Sequence, residues 1–344
     1  MSFTNRKKLH AIGIITLLLL FALPLIGYAG YQIINTPDQR ATPTLPPPFI
    51  LTTATPLPPT EVIPQCGGPK TMFILLVGSD TRGNNYASGL ADAIRILRVD
   101  FINPGVTILA FPRDLYVEIP EISDHYGITH GKLNQAYLYG NDTFKYYDGP
   151  GKGLGLLALT LEHNFNAQVD HSVALNLQTF TNVVDALGGI DINLPAEIDG
   201  RRPGARSPNL YFPAGQQHLD GYRTMLLARI RPDGDLARNH TQDLVLQALA
   251  SKSLNPSTLL QIPDIINAFQ DSIQTDLGQT EIAQLICLAS ILDPQAIKSV
   301  NFPEELFGLK RVNDPILGNT SILDVDFNML KAYVQEFNNG NWIQ

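Results

Sequence analysis

The chain has 344 residues, of which 44% are hydrophobic and 16% charged, with a formal net charge of −8. That length can bury a full core as one large domain or two small ones, and the acidity excludes nucleic acid as the main partner, because phosphate-backbone binding needs a basic face. The two cysteines, Cys66 and Cys287, exclude a disulfide scaffold and an all-cysteine zinc site; a single bridge in an oxidising compartment and a buried thiol at Cys287 stay open as equal alternatives.

Residues 1–10 carry Arg6, Lys7 and Lys8, and residues 11–37 carry no charge. Residues 11–34 are long and apolar enough to span a bilayer core. Basic residues precede the span and no matching cluster follows it, so residues 1–10 are expected in the cytoplasm and everything downstream outside. A cleaved signal peptide ending near "GYAG" is the alternative. The apolar run is longer than the core of such a peptide, which favours an uncleaved anchor in the cell membrane. Residues 35–66 are rich in Pro and Thr and form an extended linker, with a reach of at most about 90 Å at ~3.1 Å per residue. The working part is then residues 67–344.

"MFILLVG" (72–78) is a continuous apolar run ending in glycine, the pattern of a buried strand. "AIRILRV" (93–99) and "VTILAF" (106–111) follow, joined by the short turn "FINPG", which predicts an antiparallel hairpin. If the first strand runs up, its end, the start of the second and the end of the third share one sheet edge. Asp80 and Arg82 follow the first strand, Asp92 opens the second, and Arg113 and Asp114 follow the third. Two aspartates at one edge suit Mg²⁺, which takes one or two carboxylates and completes its shell with water and phosphate oxygens. The bland alternative is a turn cap at Asp80 and a surface pair at Arg113–Asp114. Arg95 and Arg98, three apart on a strand, point to opposite faces.

Further on, "THGKLNQAYLYG" (129–140) brings Lys132 and Asn134 into a helix start. "GPGKGLGLLALTLEHNF" (149–165) lacks the Ser or Thr of a phosphate loop after Lys152 and is expected to start a helix instead. "VDHSVALNLQTFTNVVDALGGIDINLP" (169–195) predicts strand, helix ending at Gly188–Gly189, and strand, which is α/β architecture. The seven histidines show no metal-ligand spacing. Residues 218–231 are expected to be helical and to end in Arg229 and Arg231. Asp235 is expected to cap a helix that sets Arg238 and Gln242 on one face at its first turn. A helix start with an arginine on it and two just before makes a credible site for a small anion.

Taken in order, "LLVGSDTR", "ADAI", "FPRDLYVEIP", "GKLNQAY", "VVDALGGIDINLP", "HLDG", "ARIR" and "DLARNHTQ" resemble the LytR–CpsA–Psr family of membrane-anchored bacterial cell-wall enzymes, most closely over residues 70–255. The resemblance implies a three-layer α–β–α sandwich around a central mixed sheet, with a groove for a polyprenyl chain. It also implies transfer of a glycopolymer from a polyprenyl-pyrophosphate carrier to peptidoglycan, forming a phosphodiester. By position, Asp80 and Asp92 would hold Mg²⁺, and Arg82, Arg113, Arg229, Arg231 and Arg238 the pyrophosphate, with Asp235 and Gln242 supporting the helix start. Lys132 and Asn134 fall in a matching motif and are assigned to substrate binding. Asp92 and Asp114 are the candidate proton acceptors. The chain departs from the family at Leu90 and Thr241, where arginines are usual, and Arg95 is the expected substitute. Those losses keep a second reading open, a catalytically weak protein that binds polyprenyl-pyrophosphates or regulates envelope assembly.

Overall fold

The computed structural model describes residues 62–81, 86–201, 207–230, 235–253, 268–269 and 272–342. The expected anchor and most of the linker lie outside them. No helix among the described residues is long and apolar enough to cross a membrane.

Six strands form the central sheet: β1 (Thr71–Ser79), β2 (Ala91–Asp100), β3 (Gly105–Phe111), β4 (His171–Asn176), β5 (Ile273–Thr275) and β6 (Ile297–Asn301). Their order is β5-β4-β1-β2-β3-β6. The hairpin expected from "FINPG" is present, with Leu97 opposite Ile108, and β1 is antiparallel to β2. The pairs β1–β4 and β3–β6 are parallel, and β4–β5 is antiparallel. The sheet is therefore mixed, as expected.

Alternation along the strands sends side chains to two cores. Phe73, Leu75, Val77, Ile94, Ile96, Leu109 and Phe111 face one side. There they meet Tyr137 of α1 (Leu133–Gly140), Leu157 and Leu161 of α2 (Lys152–Phe165) and, at the C-terminus, the helix Phe327–Asn338. Met72, Ile74, Leu97, Val99, Val106 and Ile108 face the other side and meet Val183 of α3 (Leu177–Ala186) and Leu285 of the helix Gln279–Ile291. Helices thus cover both faces. A third cluster stands off the second face, built by Val184 of α3, Leu227 of α4 (Gly221–Arg229), Val245 of α5 (Asp235–Ser253) and the strands Ile190–Leu194 and Gly215–Leu219.

Local sequence explains the helix limits. The Asn176 carboxamide accepts from Thr179 N (2.7 Å) to open α3, and Gly188 and Gly189, both at positive φ, end the turn after it. The expected helix over 218–231 is shorter than its pattern. His218 and Leu219 close a strand, and Asp220 caps α4 by accepting from Arg223 N.

Cys66 is bridged to Cys287 across 221 residues, which settles the alternative left by the sequence. Gln65 N also donates to Phe101 O (2.7 Å), so the last residues of the expected linker are fixed to the folded domain.

Candidate functional site

The three predicted chain ends meet at one edge of the sheet. Gly78 pairs with Ala93 and Ser79 with Ala91, so Asp92 is the extra residue of a β-bulge. A bulge re-aims the side chain it carries, and Asp92 is turned to accept from Arg113 Nη1, at the end of β3. Arg113 Nε lies 3.4 Å from Asp114 Oδ2, and Asp114 Oδ1 accepts from Lys132 Nζ at 2.7 Å. Charges of alternating sign, Asp92, Arg113, Asp114 and Lys132, therefore run along the edge, each largely but not fully covered.

The start of α1 is tied to the same edge. Leu133 N and Asn134 N donate to Leu115 O and Arg113 O (2.8 and 3.1 Å), and Gln135 Oε1 accepts from Lys132 N at 2.6 Å. The Asn134 carboxamide oxygen is buried and takes no partner among the described residues. A buried acceptor without a partner costs free energy, about 1–3 kcal/mol.

Asp80 sits in the loop between β1 and β2. Its Oδ1 accepts from Leu90 N (2.7 Å) and its own N–H donates to Leu90 O (3.1 Å). This clasp is the turn-bracing role considered from sequence, and it fixes Asp80 beside the bulge. Tyr86 pins the same loop to the sheet, donating to Ser272 O (2.6 Å) and accepting from Asn176 N (3.0 Å). Burial pushes the Tyr86 hydroxyl up to about 12, so it remains a donor.

From this edge an apolar cleft of about 1180 Å³, measured out to its open mouth, runs between the sheet and the third cluster. Leu76 and Leu175 form its floor, with Phe180, Leu187, Met225 and Leu246 on its walls. Its polar end carries Asp92, Arg95, Arg229 and Gln242. Arg229 is exposed and its Nη1 lies 3.9 Å from Met225 Sδ. Gln242 Nε2 donates to Ala228 O (3.2 Å), which ties the end of α4 to α5.

Arg95 faces the cleft, and Arg98, on the opposite face as strand parity required, pairs with Asp100. Arg95 is 3% exposed. Its Nη1 meets Asp243 Oδ1 at 2.6 Å, and its Nη2 lies 3.4 Å from Gln242 Oε1. Burial lowers the Arg95 pKa, opposed by the Asp243 charge and hydrogen bond. The substitute cation expected from sequence is thus in the cleft wall and already paired. Asp243 was not legible beforehand; its only signal is a lone carboxylate among the apolar positions of α5.

Arg82 and Arg231 lie outside the described residues, as do the side chains of Asp235 and Arg238. The helix expected to carry Asp235 and Arg238 at its start is present, and it begins at Asp235.

Two carboxylates at one edge, Asp80 and Asp92, fit a hard divalent ion that keeps water and substrate oxygens in its shell. Among the described residues no cluster of three metal-ligating side chains stands with them, so protein groups alone would not complete that shell.

A mixed sheet with helices on both faces, one edge of alternating charge and an apolar cleft leading from it define an α/β protein whose cleft joins an apolar lining to a charged edge. The chain belongs to the LytR_cpsA_psr family, whose model matches residues 60–337. Among its relatives is a protein of Bacillus mycoides named polyisoprenyl-teichoic acid–peptidoglycan teichoic acid transferase TagU, 27% identical over 212 residues, 61% of each chain. The protein of the same name from Oceanobacillus iheyensis is 30% identical over 216 residues, 62% of this chain and 61% of that one. The match therefore spans about three-fifths of those relatives' length. Similar solved structures include B. subtilis TagV, with a TM-score of 0.58 at 23% identity over 78% of this chain and 98% of that one. TagT bound to LIIa-WTA gives 0.54 at 21% identity, over 78% and 90%. At that identity the likeness concerns the fold.

Proposed function

We infer that this chain transfers a glycopolymer from a polyprenyl-pyrophosphate carrier to a peptidoglycan hydroxyl. The observation that carries this reading is the apolar cleft ending on Asp92, Arg95, Arg229 and Gln242, beside Arg113 and Lys132. An isoprenoid chain matches the cleft's lining, and a pyrophosphate matches the cations at its end. The names of the relatives, which specify a polyisoprenyl-linked donor and peptidoglycan, support the same reading.

In this reaction the acceptor oxygen forms a bond to the phosphorus that bears the glycopolymer. The bond from that phosphorus to the bridging oxygen breaks, the lipid phosphate leaves with the electron pair, and a phosphodiester remains. Asp92 or Asp114 takes the hydroxyl proton. Arg113 is placed to offset charge on the transferring group while holding Asp92 in orientation. Lys132 holds Asp114, and the Asn134 carbonyl can accept from a substrate hydroxyl. Mg²⁺ held by Asp80 and Asp92 would supply charge neutralisation at the pyrophosphate.

The location proposed is the outer side of the cell membrane. The Cys66–Cys287 bridge fits an oxidising compartment, and residues 11–34 read as the anchor. The binding-only reading draws on Leu90 and Thr241, where this chain has no cation.

The test uses the full chain with a short polyprenyl-pyrophosphate saccharide, a peptidoglycan oligosaccharide and Mg²⁺, followed by mass spectrometry. A metal-dependent, phosphodiester-linked product that Asp92→Ala lowers by about 10²–10³-fold supports transfer. Donor binding with no product sinks it and leaves the binding protein.

A further inference from the structure

Leu76, Arg95, Ala110 and Asn301 are register neighbours across β1, β2, β3 and β6, so their side chains share one face. Ala110 is small. Over it Asp243 reaches Arg95 on one side and accepts from Asn301 Nδ2 (2.9 Å) on the other. That carboxylate divides the space above the sheet. The apolar cleft lies on the Leu76–Arg95 side.

On the Asn301 side is a second, smaller cleft of about 260 Å³ including its mouth. Pro112, His240, Asn301, Phe302, Glu304 and Phe307 border it. Both clefts adjoin the reactive edge, from opposite flanks. Asp92 lines the first, and Pro112, directly before Arg113, lines the second.

The small cleft has a different chemistry. His240 Nε2 and Glu304 Oε1 stand 3.4 Å apart at its rim, both side chains exposed. The Asn301 carboxamide oxygen, buried at the floor, takes no partner among the described residues, so the exposed polar groups are His240 and Glu304. Phe307 adds a half-buried aromatic surface. Hydroxyl partners beside an aromatic face suit a sugar ring, which offers hydroxyls at its rim and C–H groups on its faces. Most of that volume is open mouth, so a ring would lie across the depression with one face on Phe307, and a polyprenyl chain has no channel to enter.

Phosphoryl transfer places the attacking and leaving oxygens roughly in line through phosphorus. With the lipid phosphate departing along the large cleft, the attacking hydroxyl arrives from the opposite flank, where the small cleft opens. We propose that the cleft between β3, β6 and α5 is the acceptor subsite, holding one sugar ring of the peptidoglycan glycan beside the attacking hydroxyl. This rests on the transfer reading above.

The test uses the full chain with the same donor and a peptidoglycan oligosaccharide acceptor, in His240→Ala, Glu304→Ala and Phe307→Ala. Each variant is expected to raise the acceptor KM about tenfold while the donor KM stays within about twofold of wild type. Saturation-transfer NMR of the oligosaccharide without donor gives a second readout, expected to be strong for wild type and at least halved in each variant. If wild type makes no product, the transfer reading fails, and the NMR comparison still decides the subsite. An unchanged acceptor KM, a donor KM that rises equally, or saturation transfer unaffected by all three substitutions would overturn the proposal.

Discussion

Asp92 and Arg95 are near neighbours on β2, and each is half of an ion pair, yet the two pairs serve different ends. Arg95 and Asp243 are sealed between the sheet and α5, at 3% and 6% exposure. Asp92 and Arg113 belong to a chain of charges at an open edge that includes Asp114 and Lys132. A sealed pair is held from solvent within a fixed set of protein partners, Gln242 and Asn301 among them, so its attraction serves to fix α5 over the sheet. A pair at an open edge can exchange partners with an incoming anion or cation, because neighbouring charges compensate the loss. The bulge separates the two, turning Asp92 to the edge while Arg95 keeps the strand's parity.

The sealed pair gives the largest expected effect on stability. Asp243→Ala strands a buried guanidinium and is expected to cost about 3–5 kcal/mol of unfolding free energy, read by denaturant titration. Replacing both partners in Arg95→Met with Asp243→Met removes the unpaired charge, and most of that loss should return. If the double variant is as unstable as Asp243→Ala, charge burial is not what the pair manages. At the open edge, Asp92→Ala should move the unfolding midpoint little while the transfer rate collapses.

A smaller effect is expected at Leu90, whose backbone is clasped by Asp80. Leu90→Arg adds a cation beside the edge and should tighten donor binding, by up to about tenfold. Weaker or unchanged binding would mean that the edge already has its full complement of positive charge. Smallest of all is Arg201→Ala. Arg201 pairs with Asp199 at the surface and holds that carboxyl at about 2, and solvent screens such pairs. No resolvable change in melting temperature is expected; a clear drop would show that exposed pairs matter here as much as sealed ones.

Much of the edge was legible because its signals are local. Apolar runs bounded by glycine and a short turn fix β1, β2 and β3, and strand direction then assigns Asp80, Asp92, Arg113 and Asp114 to one end. Lys132 and Asn134 followed from a helix start. The third cluster was only partly legible. The strand Ile190–Leu194 was expected, but its partner Gly215–Leu219 lies across a long insertion, and the His218–Leu219 segment carries a helix-like pattern although it closes a strand. Arg95 meets Asp243 across 148 residues and Cys66 meets Cys287 across 221. Such contacts depend on how whole elements stack, which local periodicity does not encode. Asn301 is the same case, because its position beside Ala110 exists only once β6 joins the sheet.

The most direct test is where a polyprenyl chain lies. A short polyprenyl pyrophosphate bearing a photoreactive diazirine on its isoprenoid tail would be cross-linked to the full chain and the adducts mapped by mass spectrometry. Labelling confined to the cleft walls, at Phe180, Leu187, Met225 and Leu246, and abolished by excess unlabelled lipid, is the expected result. Labelling spread over exposed apolar residues such as Leu309, and indifferent to competitor, would contradict the assignment of the cleft as the lipid site.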